Sequence, residues 1–150
     1  MAEQKRIMVE YVPLDSLQLY ENNPRRNDKA ISAVTNSIVD FGFKVPIVID
    51  KDNVIICGHT RFLAAQRLHM ETVPVIIADD LTEDQVRAFR IADNRVAEIA
   101  EWDKEKLHEE LLELKGIFEM SKYGFKDDLE DLKTALKTKQ HKCPKCGYEW

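Results

Sequence analysis

The stretch Val54-Ile55-Ile56-Cys57-Gly58-His59-Thr60-Arg61-Phe62-Leu63-Ala64-Ala65-Gln66-Arg67-Leu68 constrains the fold more than any other part of the chain. Its apolar, β-branched start reads as a buried strand, the glycine breaks it, and the residues after the glycine have helical composition. A strand that turns into a helix at a glycine leaves unpaired backbone N–H groups and the positive end of a helix dipole aimed at one spot. That is a ready site for an anion such as a phosphate. His59, Thr60 and Arg61 fall in the first helical turn, where a cation or hydroxyl can join those N–H groups. An ordinary βα turn with a strand-ending glycine accounts for the same letters.

The flanking segments supply a sheet and its helices. Ile7 to Val12 reads as a strand closed by Pro13, and Leu14 to Leu17 as one helical turn. Tyr20 to Asn27 is a polar loop in which the Asn23-Pro24 step disfavours helix. Its Arg25-Arg26 pair suits phosphate oxygens, although most such pairs are simply exposed. Ile31, Val34, Ile38 and Phe41 recur at helical spacing, with Asn27 or Asp28 as N-cap and Gly42 as the stop. Pro46 to Ile49 and Val54 to Cys57 read as two strands of a hairpin turning at 50–53. Val73 to Ile77 reads as another strand, and Pro74 argues for an edge or first position.

Thr82 and Gln85 form a capping box that opens a helix with Val86, Phe89, Ala92, Val96 and Ile99 along one face. Asp93 and Asn94 sit inside that helix, where both are poor formers. They have either a function or a local reason, such as an ion pair between Asp93 and Arg90. Trp102-Asp103 starts a further helix to about Leu114 with Leu107, Leu111 and Leu114 inward. Beyond it lie irregular chain around Gly116 and Gly124 and a last helix from Asp127 to Leu136. No internal repeat or low-complexity linker is present.

Length and charge narrow the class. With 150 residues, 44% of them hydrophobic, the chain can bury one real core with an appendage. A net charge of −5 excludes a polycation that coats nucleic acid indiscriminately. Lys133, Lys137, Lys139, Lys142 and Lys145 nevertheless form a basic tail that permits a local DNA contact, or serves as a solvated helix end. The sequence has no membrane-length apolar run and no signal-peptide core, so the expected location is the cytoplasm. Cys143-Pro144-Lys145-Cys146-Gly147 has the shape of a zinc knuckle, with His141 as a third ligand and a fourth from elsewhere, such as His108; the alternative is a tail with reduced thiols.

Taken in order, these pieces resemble the ParB/sulfiredoxin-like superfamily, and most closely the ParB N-terminal domain and its phage and mobile-element relatives. The resemblance runs from about Ile7 to Glu98. It comprises the Asn23-Pro24-Arg25-Arg26 loop, Phe41-Gly42-Phe43-Lys44-Val45-Pro46-Ile47-Val48 and the Gly58-His59-Thr60-Arg61 box leading to Ala64-Ala65. It continues through the strand Thr72 to Ile77 and the helix Leu81 to Arg95. In such relatives a G-E-R-R box wraps a nucleoside triphosphate, and an E-N pair on the later helix helps hold the phosphates and Mg²⁺. Carried over by position, the resemblance implies that Arg25, Arg26, Gly58, His59, Thr60, Arg61 and Asn94 bind CTP or ATP, with Asp93 as the Mg²⁺ ligand.

This chain departs from the pattern at His59 and Thr60, which stand where the box has Glu and Arg. That leaves CTP-specific switching and hydrolysis open, and G-H-x-R also resembles small-molecule kinases of the superfamily. Sulfiredoxin carries its reactive cysteine just after the glycine, where this chain has His59. Cys57 lies before the glycine and reads as a small buried hydrophobe. ParB proteins continue into a helix-turn-helix domain, and because no obvious recognition helix is read after Trp102, sequence-specific DNA binding is not expected to carry over from the resemblance.

The expected protein is therefore α/β (α+β in some schemes), with a small mixed sheet and packed helices over residues 1–100, a helical extension over 101–138 and the knuckle over 139–150. The expected function is nucleotide-triphosphate binding and switching in phage or mobile-element DNA transactions, with a homodimer possible. A kinase or a ParB-like DNase, and an interaction module with a decayed nucleotide site, are the competing expectations.

Overall fold

A computed structural model describes residues 6–125. The chain divides into two compact units between Glu101 and Trp102. The first holds a four-stranded mixed sheet built from β1 (Glu10–Pro13), β2 (Ile47–Ile49), β3 (Ile55–Cys57) and β4 (Thr72–Ile77) in the order β1-β4-β2-β3. β1 pairs antiparallel with β4, β4 parallel with β2, and β2 antiparallel with β3. A single 3₁₀ turn, Leu14–Ser16, stands where one helical turn was expected. The helices are α1 (Asp28–Phe41), α2 (His59–Arg67) and α3 (Glu83–Ile99). The mixed α/β class is the expected one.

The hairpin between β2 and β3 is set by one side chain. Asp50 Oδ1 accepts from the N–H groups of Asp52 and Val54, both at 2.9 Å. Asn53 takes the left-handed conformation that the turn requires, with φ 63°, which asparagine tolerates better than most residues. On one sheet face Ile47, Ile49, Ile55, Val73 and Val75 pack with Phe62 and Ala65 of α2 and with Leu14 and Leu17. Ile56 and Cys57 form a second buried cluster with Val86 of α3. α1 packs on α2 with Ile31, Val34 and Ile38 half-buried and ends at Gly42 with φ 82°, as a glycine stop requires.

Three sequence expectations change. β1 begins at Glu10, so Ile7, Met8 and Val9 lie outside it and are exposed. β4 is an interior strand: Pro74 pairs with Tyr11 on one side, and the β2 ladder starts only at Val75 on the other. A missing N–H does no harm one residue ahead of a ladder, or at an antiparallel pair that exchanges no hydrogen bonds.

The third change concerns α3. Its capping box forms as expected, with Thr82 and Gln85 bonding reciprocally. Its buried residues, however, are Val86 and Arg90, while Phe89, Val96 and Ile99 are exposed. Of the apolar face that periodicity picks out, Val86 is buried against β3, while a buried guanidinium, Arg90, occupies the place beside it.

In the second unit α4 (Lys104–Leu114) is capped by the Asp103 carboxylate, buries Leu111 and leaves Leu107 and Leu114 half-buried. A 3₁₀ turn, Met120–Tyr123, lies within the stretch expected to be irregular. The expected helix at 127–136 and the knuckle with His141, Cys143 and Cys146 lie outside the described residues. Among the described residues no helix is long and apolar enough to cross a membrane.

Ile49 is fully buried at the sheet centre, so Ile49→Ala should cost about 2–5 kcal/mol by urea denaturation. Val39→Ala, at a position 64% exposed, should stay within about 0.5 kcal/mol.

Candidate functional site

Gly58 makes the strand-to-helix turn possible. It sits at φ 105°, ψ 24°, a left-handed conformation, and a Cβ there would lie 3.0 Å from the Arg61 guanidinium. Both the backbone angle and the folded-back arginine therefore call for glycine. The first hydrogen bond of α2 runs from the Phe62 N–H to the Gly58 carbonyl, so the N–H groups of His59, Thr60 and Arg61 precede the helical ladder. Gly58, as N-cap, has no side chain to cap them.

These groups open onto a cleft of about 420 Å³, within the ~300–1,000 Å³ typical of small-molecule sites. Arg25, Arg26, Gly58, His59, Thr60, Arg61, Asp93 and Asn94 all line it. The structure thus gathers the residues singled out in the first unit, from the polar loop, the β3–α2 turn and the middle of α3. Lys29 on the first turn of α1 joins them, a residue that the sequence reading did not single out. Four cations, Arg25, Arg26, Lys29 and Arg61, face one carboxylate, Asp93, in a chain whose net charge is −5. The site is a local reversal of the molecule's charge.

Two buried side-chain nitrogens of residues lining this cleft have no hydrogen-bond partner among the described residues. Arg61 Nη2 donates to the Pro46 carbonyl at 3.1 Å, but its Nε has no hydrogen-bond partner. His59 is 8% exposed, and its Nε2 likewise has none. Unpaired buried polar atoms cost free energy unless a ligand or water satisfies them, and their clustering at a helix N-terminus fits an anion. Burial holds the Arg61 and His59 pKa values below their ordinary ranges; Arg90 adds to the effect at His59.

Burial, and after it the nearby Asp93 carboxylate, push the Cys57 thiol pKa up to about 12. Cys57 lies in a buried apolar cluster with Ile56 and Val86, as the sequence reading expected, and with that pKa it stays protonated near neutral pH. The ion pair entertained between Asp93 and Arg90 does not form. Arg90 is buried, stacks its guanidinium 3.6 Å from the centre of the Tyr20 ring and donates from Nη2 to the Ile55 carbonyl at 3.4 Å. Asn94 has a local role as well: its Nδ2 donates to the Arg90 carbonyl at 2.8 Å, while its Oδ1 accepts from Arg25 Nη1.

As for metals, no group of three or more His, Cys, Asp or Glu side chains converges among the described residues. A single carboxylate does fit Mg²⁺ that takes its remaining ligands from phosphates and water.

A glycine turn in a mixed α/β sheet thus delivers a helix N-terminus into a cationic cleft. Residues 1–95 match the ParB N-terminal domain, and the chain belongs to that family. It is 37% identical over 82 residues to the ParB-like nuclease domain-containing protein YnaK of Escherichia coli strain K12, covering 54% of this chain and 94% of that protein. It is 34% identical over 73 residues to a probable chromosome-partitioning protein ParB of Rickettsia conorii, covering 47% of this chain but only 25% of that longer protein. Among solved structures, the C-terminally truncated ParB of Caulobacter crescentus complexed with CTP-γ-S superposes with a TM-score of 0.60 at 25% identity, covering 83% of this chain and 69% of that one.

Because the folded His59 pKa lies below the unfolded value of about 6.5, the unfolded chain binds the extra proton. Stability is then unaffected by this group above about pH 6.5 and falls as pH drops through that value. Between pH 7.5 and 5 the wild type should lose more stability in urea melts than His59→Gln. Equal losses would contradict this burial of the imidazole.

Proposed function

We propose that the cleft holds the polyphosphate of a nucleoside triphosphate, CTP or ATP, with Mg²⁺, and that the protein binds and switches rather than turning substrate over rapidly. The observation that carries this is the convergence of the α2 N-terminus, four cations and two buried nitrogens unpartnered among the described residues, Arg61 Nε and His59 Nε2, on one volume. In this reading Arg25, Arg26 and Arg61 neutralise phosphate oxygens and the N–H groups of His59, Thr60 and Arg61 cradle one phosphate. His59 Nε2 completes its hydrogen bonding on the ligand. Mg²⁺, held by Asp93, would neutralise charge on the polyphosphate when bound. The likeness to a ParB that was crystallised with CTP-γ-S supports a nucleotide over another anion.

Switching is favoured over catalysis because the cleft holds one carboxylate and a protonated thiol, with no base hydrogen-bonded to a hydroxyl nucleophile among the described residues. The family membership and the resemblance to phage and mobile-element relatives favour a role in the DNA transactions of such an element.

Isothermal calorimetry with CTP and with ATP, each with Mg²⁺, tests the reading. The wild type should bind one of them, and Arg61→Ala should weaken that binding at least about tenfold, the loss expected for a charge-assisted contact of about 1.5–3 kcal/mol. Unchanged affinity in the variant would remove Arg61 from the site.

A further inference from the structure

Arg25 lies on an exposed loop, where a long side chain normally samples many rotamers. Here it is tied down at both ends. Its backbone N–H donates to Asn23 Oδ1 at 3.2 Å, and its guanidinium donates to Asn94 Oδ1, 69 residues away in sequence. Asn94 is itself fixed, because its Nδ2 donates to the Arg90 carbonyl one turn back on α3. An arginine side chain only donates and a carbonyl only accepts, so an amide can bridge them with both of its ends. A carboxylate at this position would face the Arg90 carbonyl with lone pairs, and an alanine would reach neither group.

The same helix turn grips the loop a second time, where the Arg90 guanidinium stacks on Tyr20. Tyr20 and Arg25 bracket the start and middle of the loop, so α3 sets where its arginines stand relative to the Gly58 turn.

We infer that Asn94 is a positioning residue: it holds the Arg25 guanidinium over the cleft for an anionic oxygen and does not itself touch phosphate or metal. This rests on the triphosphate reading above and departs from the direct ligand role that the family resemblance implies for Asn94. Each amide end of Asn94 is already engaged by a protein group, which leaves it one N–H and one lone pair, whereas Arg25 keeps all its N–H groups beyond the one bonded to Asn94. Pre-ordering a flexible arginine before binding spares rotamer entropy when the ligand arrives.

A double-mutant cycle on the full chain tests the assignment, with CTP·Mg²⁺ and, separately, inorganic triphosphate as probes in calorimetry. Asn94→Ala introduces a better helix former, so the fold should survive, and circular dichroism checks it. Arg25→Ala and Asn94→Ala should each weaken binding about tenfold. Together they should also weaken it about tenfold, because Asn94 acts only through Arg25. The Mg²⁺ concentration at half-effect should not move in Asn94→Ala, and Asn94→Asp should fail to restore binding.

In the ligand-free wild type, ¹⁵N NMR should show slowed exchange of the Arg25 guanidinium that Asn94→Ala abolishes. Losses that multiply to about a hundredfold, a raised Mg²⁺ requirement in Asn94→Ala, or a free Arg25 guanidinium in the wild type would each overturn the positioning role while leaving the triphosphate site standing. If the wild type binds neither probe, the triphosphate reading itself falls, and this inference with it.

Discussion

The arrangement depends on one backbone conformation. At φ 105° Gly58 lets β3 leave the sheet and become α2 without an intervening loop, and its missing side chain leaves the space into which Arg61 folds. Any L-residue there would meet left-handed strain and a guanidinium at 3.0 Å together. That turn produces the exposed N–H groups, the buried His59 and the position of Arg61 between the Pro46 carbonyl and the cleft. At this junction two buried nitrogens, Arg61 Nε and His59 Nε2, have no hydrogen-bond partner among the described residues, and the proposed phosphate would satisfy them.

α3 supplies the opposite wall in an unusual way. A helix on a small sheet ordinarily presents its apolar stripe to the core. This one buries Arg90 and brings Asp93 and Asn94 to the cleft, leaving Phe89, Val96 and Ile99 exposed. The buried guanidinium is sustained by the Tyr20 ring and the Ile55 carbonyl. Because a cation–π contact gains strength with desolvation, this pairing also fastens the polar loop to the helix. Polar chemistry has displaced hydrophobic packing on the side of α3 that faces the site.

Much of this was legible in the sequence, and the failures are as physical as the successes. Local signals worked where a single residue type decides the outcome: Gly58 and Gly42 at left-handed positions, the Thr82–Gln85 capping box, the polar tetrad at 50–53. Asp93 and Asn94 were conspicuous because neither suits a helix interior, and both lie in the cleft. Long-range facts were not visible. Nothing local to Arg90 announces Tyr20, far back in the chain, so the sequence offered Asp93 as the arginine's partner, and of the apolar face it picked out on α3 only Val86 is buried. Pro74 suggested an edge because its missing N–H was weighed without the register that makes it harmless. Lys29 carries no signal until α1 and α2 are packed together.

The most direct measurement of the central claim is a ¹H–¹⁵N correlation spectrum of the protein titrated with CTP or ATP and Mg²⁺. The largest shifts should fall on the backbone amides of Gly58, His59, Thr60 and Arg61, with smaller ones on Arg25 and on α3 around Asn94. Shifts confined elsewhere on the molecule, or none with either nucleotide at millimolar concentration, would contradict the assignment of the Gly58 turn as a triphosphate cradle.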